Sequence, residues 1–202
     1  MQIFIATGNL HKLSELKAIL PAAANSGGPV TYLSTLDFPG FVMPEETAGT
    51  LEGNARIKAV AGAARTGLIC LSDDTGLFVD ALNGAPGVHT ARYAGENATA
   101  RDNNEKLLAA LKDLSPEKRT AHFRTVACLA FPNGQTHFFE GVVQGTIAAH
   151  YHGVNGFGYD PVFIVSEAGK AFAEMSETQK NKLSHRARAF RKLAEFLVNL
   201  KN

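Results

Sequence analysis

Leu68-Ile69-Cys70-Leu71-Ser72-Asp73-Asp74-Thr75-Gly76 opens on four apolar residues and closes on two adjacent carboxylates, a threonine and a glycine. A short apolar run bounded by turn-forming residues reads as a buried strand. We expect a strand over 68–71, a turn over 72–76, and a short returning strand over Leu77–Val79. In open α/β sheets, ligands bind outside the carboxyl ends of the strands. A carboxylate there can hold a hard cation or act as a base. Neighbouring strand side chains point to opposite faces. If strand geometry persists, Asp73 and Asp74 therefore serve different sides: one carries the chemistry and the other caps the turn. The same residues also suit ordinary turn chemistry.

Working outward, Thr50 caps a helix running to about Thr66, with Ala55, Ala59, Ala61, Ala63 and Ala64 suited to close packing and Gly67 as its stop. At the start, Ile3–Ala6 reads as a strand and Thr7-Gly8-Asn9 as a turn. Leu10, Leu13, Leu16, Ile19 and Leu20 follow at helical spacing, with Asn9 as N-cap and Pro21 beyond the end. Residues 25–29 read as a loop, Val30–Leu33 as a short strand, and 36–49 as irregular. Gly84-Ala85-Pro86-Gly87 opens a loop reaching about Gly95. Thr99 begins a third helix with Leu107, Leu108, Leu111 and Leu114 on its apolar side. Two long strands, about 120–131 and 135–148, flank the hairpin signal Pro132-Asn133-Gly134. A Gly-rich loop over 152–161 leads into Val162-Phe163-Ile164. Ser176–Gln179 has the form of a capping box, and a last helix spans about 184–200. This order gives an α/β fold: an elongated, mixed, twisted β-sheet flanked by helices.

The 202 residues suit a single domain over 1–202, with room for two lobes and a sizeable core. A formal net charge of +1 provides no broad field for nucleic acid or an anionic membrane. The two cysteines, Cys70 and Cys128, lie in apolar runs and read as buried, reduced thiols, which fits a cytoplasmic setting. No paired Cys/His spacing points to zinc. No secretory leader is expected at the start, and no apolar stretch approaches the roughly 20 residues that span a bilayer.

Four polar segments carry chemistry. Thr7-Gly8-Asn9-Leu10-His11-Lys12 joins the first strand to the first helix, where amides and the helix dipole favour a phosphate and Lys12 adds a cation. It does not match the Walker pattern, and a capped helix with a solvated lysine is the plainer alternative. Glu45-Glu46 provides a second pair of carboxylates. With Asp74, a carboxylate from this loop would suit Mg²⁺, which takes one or two carboxylates, waters and phosphate oxygens. Gly156-Phe157-Gly158-Tyr159-Asp160-Pro161 sets aromatics among glycines, as a base-stacking loop or a tight turn would. Lys180, Lys182, His185, Arg186 and Arg188 form a cationic cluster near the last helix, suited to phosphate or base carbonyls, or simply to solvent.

In this order the segments resemble the non-canonical purine nucleoside triphosphate pyrophosphatases, the inosine triphosphate pyrophosphatase or Ham1-like family. The matching runs are Ala6-Thr7-Gly8-Asn9 with Lys12 and Glu15, Glu45-Glu46-Thr47, Asn54-Ala55 with Lys58-Ala59, and Ser72–Leu77. Val79-Asp80-Ala81-Leu82, Gly84–Gly87, Ala91-Arg92-Tyr93, Gly156–Phe163, and Lys180 with Ser184-His185-Arg186 complete them. The resemblance covers nearly the whole chain. It implies two lobes with the active site in the cleft between them, and Mg²⁺-dependent hydrolysis of inosine, deoxyinosine or xanthosine triphosphate to the monophosphate and pyrophosphate. It implies Asp74 as general base and metal ligand, and Glu45 as the other metal ligand. Thr7, Gly8, Asn9, Leu10, His11 and Lys12 would bind the triphosphate, and Thr75 would contact substrate. Phe157, Gly158, Tyr159, Asp160, Lys180, His185 and Arg186 would contact nucleotide and base. A cytoplasmic homodimer is also implied, acting on a small nucleotide and on neither nucleic acid nor membrane. Thr75 stands where relatives often have Ser, which keeps the hydroxyl. Gly53 displaces Glu52 by one position from the usual Glu-Asn-Ala, and His89-Thr90 replace commoner residues.

The implied mechanism is a single in-line displacement at the α-phosphorus, with Asp74 taking a proton from water. Donors aimed at a 6-oxo group would meet the donor amino group of adenine, at a cost of about 1–3 kcal/mol; His185 and Arg186 are the candidates. Rival readings are a pyrophosphatase for other damaged nucleotides, such as modified pyrimidines, and a nucleotide sensor without turnover.

Overall fold

A computed structural model of the protein describes residues 1–20, 23–24 and 28–200. The strands are β1 (Gln2–Ile5), β2 (Ala23–Ala24), β3 (Gly28–Pro29), β4 (Thr31–Ser34), β5 (Ile69–Val79), β6 (Pro86–Gly87), β7 (Thr120–Ala130), β8 (Thr136–Ile147), β9 (Phe163–Val165) and β10 (Lys170–Ala171). The helices are α1 (Leu10–Ile19), α2 (Leu51–Thr66), α3 (Ala100–Leu111), α4 (Glu177–Leu183) and α5 (His185–Asn199). The main sheet has eight strands in the order β10-β9-β8-β7-β5-β1-β4, with β6 pairing β5. It is the mixed, helix-flanked α/β sheet that the element order implied. Two compact units divide the chain: Met1–Asp74, Thr125–Gly141 and Arg186–Asn202 form one, and Thr75–Arg124 with Val142–His185 the other.

In the first unit, β1 lies parallel to both neighbours, with Ile3 opposite Tyr32 on β4 and Ile69 on β5. Strand alternation divides its side chains between two cores. Ile3, Ile5 and Leu71 face Leu13 and Leu16 of α1 and Phe190, Leu193 and Leu197 of α5. Phe4 and Cys70 face the alanines of α2. That side packs closely: a Cβ on Gly62 would stand 2.3 Å from Cys70 Sγ. In the second unit, Leu77, Val79, Phe123, Val143 and Phe163 pack with Leu107 and Leu111 of α3.

Most helix ends follow the sequence reading. Asn9 caps α1 through the amides of His11 and Lys12, Thr50 caps α2, and Gly67 ends α2 at φ +68°. Thr99–Asp102 and Ser176–Gln179 form capping boxes. Gly134, at φ +88°, turns the β7–β8 hairpin. Pro21 and residues 25–27 lie outside the described residues, whereas Gly28–Pro29, expected in a loop, pair with β2.

The main correction falls on 68–79. No turn interrupts that stretch: β5 is one strand of 11 residues, so Ser72–Gly76 is neither a turn nor a loop and Leu77–Val79 continues it. Buried partners explain this, because each carboxylate is met by cations or an amide from a neighbouring helix. Gly76 serves close approach within the strand, not a turn; a Cβ there would meet Gly87 O at 2.8 Å.

Candidate active site

The alternation that sorts the two cores also sorts the two carboxylates. Ser72 and Asp74 continue the row of Cys70 toward α2, where Ser72 Oγ donates to Ala55 O at 3.0 Å and Asn54 Nδ2 donates to Asp74 Oδ2 at 3.1 Å. Asp73 continues the row of Leu71 toward α1 and α5, where its Oδ2 accepts from Lys12 Nζ at 3.1 Å and from Arg186 Nε and Nη2 at 3.4 Å. Asp73 therefore pairs the half-buried Lys12 and the buried Arg186 and caps no turn.

Asp74 is almost buried, at 7% exposure. Burial raises its carboxyl above the ordinary value; Lys58 and Lys12 pull it down, and the charge of Glu46 adds to the rise. Lys58 Nζ stands 3.8 Å from Asp74 Oδ1 and pairs with Glu46 Oε1. The carboxylate that accompanies Asp74 is thus Glu46, while Glu45 is exposed. Asn54 orders the same loop, since its Oδ1 accepts from Ala48 N at 2.9 Å. Asn54 and Lys58 stand four apart on α2, so one helix face carries both to Asp74.

Asp73 presents the opposite electrostatics. Burial would raise its carboxyl, but Lys12, Arg186 and Lys58 hold it well below the usual carboxylate range. Arg186 is 2% exposed; its Nη1 pairs with Glu15 while Nε and Nη2 face Asp73. Expected among the base contacts, Arg186 gives these donors to two carboxylates of the first unit. Burial lowers the Lys12 ammonium, against the attraction of Asp73. At the start of α1, Thr7 Oγ1 accepts from Asn9 N at 3.2 Å, and Leu10 and His11 are exposed. A Cβ on Gly8 would meet nothing within 4 Å, so the loop backbone is accessible there.

In the second unit, Asp160 Oδ2 accepts from Lys180 Nζ at 2.6 Å and from Phe157 N at 2.8 Å. The Lys180 ammonium also lies 4.6 Å from the centre of the Phe157 ring and 5.7 Å from that of Phe172. Gly156, at φ +77°, permits this arrangement, because a Cβ there would meet Asp160 Oδ2 at 2.1 Å. Gly158 O accepts from Asn104 Nδ2, and Tyr159, 4% exposed, donates its hydroxyl to Thr90 O. His185 stacks on Phe123 with ring centres 4.5 Å apart. Thr75 is half-buried in β5.

The chain matches the Ham1 family over residues 3–196. The chain belongs to the Ham1 family. Among its relatives, a protein of Elusimicrobium minutum named dITP/XTP pyrophosphatase is 53% identical, covering 96% of this chain and 98% of its own. A dITP/XTP pyrophosphatase of Geobacter sulfurreducens is 47% identical, covering 97% and 96%. The solved structure of a HAM1 protein from Coxiella burnetii superposes with a TM-score of 0.88 at 37% identity, covering 99% and 100%. These matches extend the family resemblance from motifs to the whole fold. Missing from the expected set were Glu46, Asn54, Lys58 and Asp73. Their signal was present as spacing: Asn54 with Lys58 four residues on, and Glu46 as the second of an acidic pair.

Among the described residues, no group of three His, Cys, Asp or Glu side chains could hold a metal ion alone. Asp74 and Glu46 nonetheless fit Mg²⁺, which takes one or two carboxylates and completes its sphere with waters and phosphate oxygens. Both converge on one ammonium, and burial, with the charge of Glu46 added to it, raises Asp74, so a divalent cation between them would find two carboxylates short of positive charge.

Proposed function

We propose that the protein hydrolyses non-canonical purine nucleoside triphosphates (dITP, XTP and ITP) to the monophosphate and pyrophosphate. The observation that carries this reading is Asp74: a nearly buried carboxylate held by Asn54, raised by its surroundings and adjacent to a second carboxylate and a lysine. The names of the full-length relatives support the substrate class.

Asp74 takes the proton of the water that attacks the α-phosphorus, and a raised pKa makes it a better base. Asn54 orients its Oδ2. Lys12 and the accessible amides at Gly8 and Leu10 neutralise the triphosphate and the departing pyrophosphate. A Mg²⁺ held by Asp74 and Glu46, when bound, supplies further charge neutralisation at the phosphates. We assign nucleoside contacts to Phe157, whose ring is half-buried, and to Asp160 with Lys180. A cytoplasmic homodimer completes the reading on family grounds, and sedimentation velocity tests the dimer. Among the described residues, no helix is long and apolar enough to cross a membrane.

The test is pyrophosphate release with Mg²⁺ from dITP, XTP, ITP, ATP and GTP. Fast release from the first three and little from the last two is expected. Equal release from ATP and GTP would overturn the substrate class. Release from none, with ITP bound, would favour a sensor.

A further inference from the structure

We propose that Asp73 is a positioning residue, fixing the ammonium of Lys12 for the substrate's triphosphate. The proposal rests on the reading of Lys12 as a triphosphate contact and extends it to a residue that itself touches no substrate.

Four charges of the first unit alternate around a circuit. Lys12 of α1 pairs with Asp73 of β5, Asp73 with Arg186 of α5, and Arg186 with Glu15, again on α1. Lys12 and Glu15 lie three apart on one helix, so both ends of the circuit stand on the same surface. The side chains of Asp73 and Arg186 are 1% and 2% exposed, whereas that of Lys12 is 17% exposed. Lys12 is the most open member of the circuit and the more exposed of its two cations.

A lysine on a four-carbon stem loses substantial rotamer freedom when it is fixed. An anchor that fixes it beforehand removes that cost from the binding step. Asp73 is suited to the task because Arg186 holds it from a second direction and is in turn held by Glu15. A carboxylate exposed to the triphosphate would repel it; Asp73 instead lies buried with its charge met by two cations.

The test compares Asp73→Asn, Lys12→Met and the double variant, by kcat and KM for ITP and by inhibition with inorganic tripolyphosphate. We expect Asp73→Asn to weaken kcat/KM about ten- to a hundredfold, mostly through KM, with a parallel loss of tripolyphosphate inhibition. In the Lys12→Met background the same change should alter both by no more than about twofold, because the residues act as one unit. A full, independent loss in that background assigns Asp73 a structural role and overturns the proposal, as does an unchanged kcat/KM in folded Asp73→Asn. If Lys12→Met alone leaves KM and tripolyphosphate inhibition intact, the reading of Lys12 fails first and the proposal with it. Should Asp73→Asn not fold, Asp73→Asn with Arg186→Met removes one charge of each sign and still deprives Lys12 of its anionic partner. That pair is then measured with and without Lys12→Met, against the same criteria.

Discussion

Asn54 bridges the acidic loop and strand β5: its carboxamide accepts from Ala48 N at 2.9 Å and donates to Asp74 Oδ2 at 3.1 Å. Both contacts are made by a residue that is 2% exposed, so neither is exchanged cheaply for water. Replacing Asn54 by Ala should cost about 1–3 kcal/mol of stability and leave Asp74 less well oriented. Urea unfolding and kcat for dITP, measured together, check both effects. Asn54→Asp should be worse for activity, because a like charge beside Asp74 raises its pKa further and moves the acidic limb of the kcat profile to higher pH.

Asp74→Asn separates chemistry from folding. Removal of the proposed base should lower kcat at least about a hundredfold. Stability should not fall with it. Asp74 titrates higher in the folded chain than unfolded. Its favourable contribution is therefore present below the unfolded value near 3.9 and is lost as pH rises through the folded value. Thermal midpoints of the variant and parent should differ more in the variant's favour at pH 7 than at pH 4. Wild-type turnover in folded Asp74→Asn would reject the assignment.

Asp160 and Lys180 depend on a residue that has no side chain. Gly156→Ala combines a strained φ of +77° with a Cβ 2.1 Å from Asp160 Oδ2, so the carboxylate must leave Lys180 or the loop must move. We expect a several-fold rise in KM for dITP. Loss of about 1–3 kcal/mol of stability should accompany it, as overpacking and left-handed backbone usually cost. An Ala variant with parental KM and midpoint would show that the loop tolerates the shift.

The two cysteines offer a test at alkaline pH. Burial pushes the thiols of Cys70 and Cys128 up to about 12. Native protein should resist iodoacetamide at pH 8, where an exposed thiol reacts readily. Raised folded values also set a sign: the neutral thiols support the fold fully below the unfolded value near 8.5, and this support is lost as pH rises toward 12. Unfolding free energy should therefore fall between about pH 9 and 12. Cys70→Ser together with Cys128→Ser should flatten part of that slope.

Element types were legible because local chemistry and global packing agree. Asn9, Thr50, Thr99 and Ser176 announce helix starts, and the structure uses each as a cap. The stretch 72–76 misled because Asp, Thr and Gly usually exist to satisfy a turn, and sequence does not display a lysine 61 residues away that meets Asp73 instead. Asp74 was legible as a site candidate through its motif. Asp73 was not, since its role depends on Lys12 and Arg186, which only the fold brings together. The same applies to Glu45 and Glu46: adjacent glutamates are alike on paper, and α2 decides which one meets Lys58.

Adjacent aspartates invite the idea that one can cover for the loss of the other. The alternation of β5 denies them that redundancy, because each faces different helices and takes its hydrogen bonds from different side chains. Compensation for a lesion at Asp74 would have to arise on α2 or in the acidic loop, and for a lesion at Asp73 on α1 or α5. Deleting one residue of β5 upstream of the pair would turn each carboxylate to the opposite face of the sheet. Indels there should be far scarcer among functional sequences than substitutions, and second-site revertants should map to two separate groups of positions.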